Sequence, residues 1–129
     1  MVRDILADPA SAALSKSLEG TSARQQAIAK NLANVETPGY LRQDVSFLDS
    51  LQSALDTSGS DHERAQRIAA VEPFTMTDPS RPPKADGNSV DIDFEMAELA
   101  KNNLRFESSA TALSLKIRML RAAITEGRR

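Results

Sequence analysis

From residue 88 to residue 126 the chain runs without a glycine or a proline, and its apolar residues recur at alternating steps of four and three. Ile92, Met96, Leu99, Asn103, Phe106, Ala110, Leu113, Ile117, Leu120 and Ile124 fill ten successive positions of that heptad, nine of them apolar. This is the pattern of a helix with an inter-helix seam. As one straight helix the stretch measures about 58 Å. A helix of that length in a chain of 129 residues has no globular core large enough to wrap it, so it needs partner helices.

A first helix is expected from about residue 10 to about residue 36. Leu14, Leu18, Thr21, Gln25, Ile28, Leu32 and Val35 lie on the same spacing, weakened in the middle by Gly20, Thr21 and Gln25. Thr37-Pro38-Gly39-Tyr40 stops it: Pro38 disfavours helical backbone at Thr37, and Pro followed by Gly suits the centre of a type II turn. Residues 37–56 carry this turn and a short amphipathic segment, with Val45, Phe47, Leu48, Leu51 and Leu55 placed as a helix face. Residues 57–87 hold Pro73, Pro79, Pro82 and Pro83 among Ser, Asp and Arg, and are expected to form a long loop, with Ile68 to Val71 as a candidate short strand. The predicted architecture is all-α. Long N- and C-terminal helices pair as an antiparallel coiled coil or helical bundle, and an irregular Pro-rich middle carries at most short strands. Four Phe, one Tyr and no Trp agree with apolar surface buried along helix stripes.

Function classes fall away in turn. Sixteen basic and eighteen acidic residues give a net charge of −2, so no one-signed field recruits nucleic acid or anionic lipid. Cysteine is absent, which removes disulfides, thiolate metal sites and Cys nucleophiles. Acids and Pro9 interrupt the first residues, so no cleavable signal peptide is expected, and no segment is apolar for long enough to span a membrane. Five scattered glycines make no phosphate-binding loop. His62, the lone histidine, sits among Asp61, Glu63 and Arg64 and reads as solvated. No enzyme activity and no cofactor are expected.

Asp86-Gly87-Asn88-Ser89-Val90-Asp91-Ile92-Asp93 alternates acids with apolar residues, yet its glycine precedes the acids where a calcium-binding EF-hand loop places it after three ligand positions. Helix capping by Asn88, Ser89 or Asp91 explains the residues without a metal. Asn103 interrupts the apolar seam, as a polar residue that fixes helix register does. Phe94, Leu104 and Leu115 fall off the seam, which favours a helix surrounded by several neighbours, in a multi-subunit tube or bundle.

The run from Ile28 to Tyr40, with Asn31, Asn34, Thr37, Pro38, Gly39 and Tyr40 at its key positions, resembles the signature turn of the bacterial flagellar rod and hook proteins. Arg42, Asp44 and Phe47 after it, and the block from Asp86 to Ala100 followed by Arg105 and Phe106, are similar to the proximal-rod branch of that family; Phe94 departs from it, standing where a charged residue is frequent. The resemblance implies a non-enzymatic structural subunit of the basal-body rod. Such a subunit passes through the flagellar type III export apparatus and assembles in the periplasm, where it transmits torque. It also implies as neighbours further copies of the chain, rod subunits of the FlgC and FlgF type, the junction protein FliE and the membrane-ring protein FliF. The rival reading is a cytosolic helical adaptor or export chaperone that binds a partner helix through the same heptads; it leaves the signature turn unexplained.

Overall fold

The computed structural model describes residues 8–127; residues 1–7, which carry most of the signal-peptide reading, lie outside the described residues, as do 128 and 129. In chain order the elements are α1 (Pro9–Ala33), β1 (Gln43–Ser46), α2 (Leu48–Asp56), α3 (Asp61–Ala69), β2 (Phe74–Thr77) and α4 (Ile92–Glu126). The long helices α1 and α4 lie antiparallel, since residues progressively later in α1 bond to residues progressively earlier in α4. The short elements pack beside the C-terminal half of α1, and β1 and β2 form an antiparallel two-stranded ribbon.

Helix α1 starts where its capping chemistry dictates. Asp8 takes the backbone N–H groups of Ala10 and Ser11 onto its carboxylate, and Pro9 fills the first helical position, where no donor is needed. The helix ends at Ala33, ahead of the expected residue 36, and Asn34 to Glu36 form turns that lead into the proline. Helix α4 begins at Ile92, four residues after the expected start. Asp91 is its N-cap, bonding the N–H groups of Asp93 and Phe94, while Asn88 and Ser89 are buried and occupied elsewhere.

The middle of the chain departs most from the sequence expectation. Val45 and Phe47 belong to a strand and its exit, not to a helix face: they alternate, so both point inward, and both are buried. Within the supposed loop, Asp61–Ala69 is a helix. Its capping box joins the Ser60 hydroxyl to the Glu63 N–H and the Glu63 carboxylate to the Ser60 N–H. Ile68 and Ala69 therefore lie in α3 rather than in a strand, and the strand is Phe74–Thr77, paired with β1 in the register Gln43↔Thr77 to Ser46↔Phe74.

A small core gathers Ala23, Ala27, Val45 and Phe47, with Ile28, Leu51, Ala65, Ile68 and Val90 buried as well. Gly20 lies within α1 and is buried, and the reason is Phe47: a Cβ on Gly20 would overlap the ring, with Phe47 Cγ at 2.6 Å. Gly20→Ala is therefore expected to destabilise the fold although it improves helix propensity by about 1 kcal/mol. Overpacking of this kind costs about 1–3 kcal/mol. The midpoint of thermal unfolding, followed by far-ultraviolet circular dichroism, should fall; a rise would show that Phe47 does not pack on this helix.

Candidate functional site

Two glycines set the geometry at the end where α1 and α4 meet the turns. Gly39 (φ +73°) occupies the third position of the Thr37-Pro38-Gly39-Tyr40 turn, which the Tyr40 N–H closes onto the Thr37 carbonyl at 3.2 Å. Gly87 (φ +82°) lies against it; a Cβ there would stand 3.2 Å from Gly39 Cα on a backbone conformation that side chains disfavour. This approach lets the two turns share backbone hydrogen bonds, from Gly39 N–H to the Asp86 carbonyl and from Ser89 N–H to the Tyr40 carbonyl. Asn88 completes the joint. Its amide nitrogen lies within hydrogen-bond distance of the carbonyls of Asn34, Val35 and Thr37, at 2.8–3.1 Å, and its oxygen accepts the Val90 N–H. The C-cap carbonyl of α1 and two carbonyls of the turn after it are thus reached by a residue 51 to 54 positions further along the chain.

Beneath the turns lies a buried polar cluster centred on Glu95, which is 0% exposed, and Arg42, 2% exposed. Arg42 donates from Nε to Glu95 at 2.5 Å and from Nη1 to Asp78 at 2.8 Å, and its backbone N–H reaches the Ser89 hydroxyl. Asn31 uses its whole side-chain amide: the oxygen accepts from Gln43 N–H and the Tyr40 hydroxyl, and the nitrogen donates to the Gln43 carbonyl and to Glu95. Burial alone would lower the Arg42 pKa, but its hydrogen bond and attraction to Glu95 outweigh that and raise it. Burial pushes the Tyr40 phenol up, and Glu95 adds to the shift. Burial would raise Asp78 too; its bonds from Ser80 and the charge of Arg42 hold it below the usual carboxylate range. Phe94 stacks under two cations, with the guanidinium carbons of Arg81 and Arg42 at 3.8 and 4.9 Å from the ring centre. The acids around Arg42 are already paired with it, so the cluster fastens segments together and leaves no free base for proton transfer.

The same polar character continues along the helix pair. Glu95, Asn102, Ser109 and Lys116 stand seven residues apart on α4, and each meets α1 or its cap. Glu95 bonds Asn31, Asn102 donates to the Thr21 carbonyl at 2.8 Å, Ser109 shares a 2.8 Å hydrogen bond with Ser17, and Lys116 reaches Asp8 at 2.6 Å. These four rungs set the register of the two helices. Asn103, expected as the register residue, is exposed, and the buried asparagine is its neighbour Asn102. Of the expected seam, Ile28 is buried and Leu14, Leu18, Leu32, Val35, Leu99, Leu113 and Leu120 are half-buried; Ile92, Met96, Phe106, Ile117 and Ile124 are exposed. Sequence reading missed Arg42, Glu95 and Asn102 as structural centres. The available signal was the polar heptad, which runs one position ahead of the apolar seam at Asn102 and Asn103, and at Ser109 and Ala110.

Asp8 caps α1 and holds α4 at once. Burial would raise its pKa, but the Lys116 ammonium and the donors from Ser11 and Ala10 outweigh that and hold it at about 2, against 3.8 for an ordinary aspartate. A carboxylate depressed in this way contributes stability in full above its unfolded pKa and loses it as pH falls through the folded value. For this partly exposed pair, after discounting for solvent screening, the contribution is on the order of 1 kcal/mol. Helix content of the protein is therefore expected to hold down to about pH 4 and decline towards pH 2. Asp8→Asn should already lower the thermal midpoint at neutral pH and weaken the acid dependence; an unchanged acid profile would remove Asp8 from the account.

No protein-family model matches the chain. Curated relatives do. The chain is 30% identical over 116 residues, 81% of its length and 84% of the relative's, to the flagellar basal body rod protein FlgB of Escherichia coli strain K12. It is 30% identical over 107 residues, 74% of its length and 78% of the relative's, to FlgB of Salmonella typhimurium strain LT2. It is 29% identical over 121 residues, 89% of its length and 92% of the relative's, to FlgB of Bacillus subtilis strain 168. With this identity over most of both sequences, the chain belongs to the FlgB family of flagellar basal body rod proteins.

Proposed function

We infer that the chain is a structural subunit of the proximal rod of the flagellar basal body, and that it carries load through helix-to-helix contacts with its neighbours. The observation that carries the mechanical part of this reading is the division of labour on α4. Its polar rungs meet α1 of the same chain, while Ile92, Met96, Phe106, Ile117 and Ile124 remain at least a third exposed. Near the C-terminal end Ile117, Leu120, Arg121, Ile124 and Thr125 line a shallow apolar groove of about 250 Å³. In a rod these side chains would be buried between subunits, with many small contacts sharing the shear of a rotating shaft.

The same reading places the chain in the periplasmic section of the basal body after passage through the flagellar type III export apparatus. FlgC- and FlgF-type subunits, FliE and FliF would be its neighbours. Asn31, Asn34, Thr37, Pro38, Gly39 and Tyr40 hold the turn that locks the two long helices, and the apolar seam makes the contacts between subunits. Among the described residues no helix is long and apolar enough to cross a membrane.

Ile117→Asp tests the seam without touching the fold, because Ile117 is 46% exposed in the single chain. The variant should keep the helix content of the parent and lose motility, with basal bodies arrested before a complete rod; Asp61→Ala, on an exposed residue of α3, should swim normally. Wild-type rods built from the Ile117 variant would refute the seam.

A further inference from the structure

The β1–β2 ribbon treats its two edges differently. Asp78 N–H donates to the Arg42 carbonyl, so in the antiparallel register Asp44/Met76 and Ser46/Phe74 are the pairs that exchange hydrogen bonds. The backbone groups of Gln43 and Val45 then point away from β2, and side chains meet them there: Asn31 bonds both the N–H and the carbonyl of Gln43, and Arg24 bonds the Val45 carbonyl at 2.7 Å. On the far side the N–H and carbonyl groups of Thr75 and Thr77 point outward, and among the described residues nothing takes them. All four residues of β2 are exposed, Phe74 and Met76 included. The strand carries no charge, proline or bulge of the kind that blunts an edge.

We propose that this edge takes a second copy of the same strand, β2 against β2 in antiparallel register about a two-fold axis at Met76, making a four-stranded sheet from two chains. The partner follows from the chemistry. An open edge is completed by extended backbone, and among the described residues β2 is the strand in a second copy with an edge still free. The pairing is self-complementary: Thr75 of each chain faces Thr77 of the other, which satisfies all four outward groups on each strand. Met76 meets Met76, and the two Phe74 side chains lie on the same face. Like charges are not opposed, because Glu72 falls opposite Ser80 and Asp78 opposite Phe74, with the Asp78 carboxylate already engaged by Arg42. Pro73 and Pro79 end the pairing at both sides. The contact is isologous and closed, and it stands independently of the rod reading.

The chain has no cysteine, so a single introduced thiol reports the contact. In Met76→Cys two copies bring their thiols together on the axis, at a non-hydrogen-bonded pair whose spacing suits a disulfide. Copper-phenanthroline with oxygen as oxidant should convert the purified full-length variant to a disulfide-linked dimer at least about tenfold faster than Ser58→Cys, which places a thiol on the exposed turn after α2. Adding Thr75→Pro removes one outward N–H and spares the β1–β2 bonds. Adding Thr75→Lys with Thr77→Lys instead opposes like charges across the axis. Either change should bring the rate down to that of Ser58→Cys. Equal rates for the two single-cysteine variants would overturn the proposal. So would fast cross-linking that survives the double lysine change in a protein whose circular dichroism is unaltered.

Discussion

The fold depends on a carboxylate buried where three separate stretches of chain converge. Glu95, one turn into α4, accepts from Arg42 at the entry to the ribbon and from Asn31 near the end of α1. Removing such a charge from water is costly, and only well-placed partners offset it. That requirement explains the arrangement around it. Asn31 must present its amide inward, Arg42 must lie beneath the signature turn, and Asp78 must return from β2 to take the second face of the guanidinium. Loss of Arg42 would leave Glu95 buried without an opposite charge, at a cost of about 3–5 kcal/mol. In the observed pairing of the two long helices the cluster is satisfied by α1, β1 and α4 together with Asp78.

The residues of the two turns around this anchor each have a plain physical role. Gly39 and Gly87 are needed at the same spot, since the two turns touch backbone to backbone and both adopt a left-handed conformation. Asn88 joins the C-cap of α1 and the turn after it to the second block, and Asn31 ties that helix to β1 and to α4. Two sequence blocks about fifty residues apart belong together because each supplies what the other leaves unsatisfied. Phe94, unusual in the resemblance, lies between Arg42 and Arg81 and holds the Pro-rich connection against the start of α4.

The two long helices and the turn between α1 and β1 were legible in the sequence, because helix periodicity over dozens of residues and a Pro-Gly step are strong local signals. The middle was not. A four-residue strand has little periodicity to read, and Val45 and Phe47 fit a helix face as well as a strand until the partner Phe74–Thr77 is known. Helix α3 announced itself only through Ser60 and Glu63, a capping box overlooked amid prolines and serines. The seam was legible as a stripe but not as a set of partners. Periodicity marks what seeks burial without saying whether the cover is the same chain or another. In the folded chain the bonds between α1 and α4 are polar rungs, and Ile92, Met96, Phe106, Ile117 and Ile124 of the apolar stripe stay outward.

That division between polar contacts inside the chain and apolar contacts outside it is the central claim, and thiol accessibility measures it most directly. Single cysteines placed at residues 92, 117 and 124 of this cysteine-free sequence would be alkylated in the isolated subunit and in purified basal bodies. The account predicts rapid alkylation of all three in the isolated subunit and strong protection in the assembled rod. Thiols already shielded in the isolated subunit would contradict it, because the apolar stripe would then be covered by the chain's own fold.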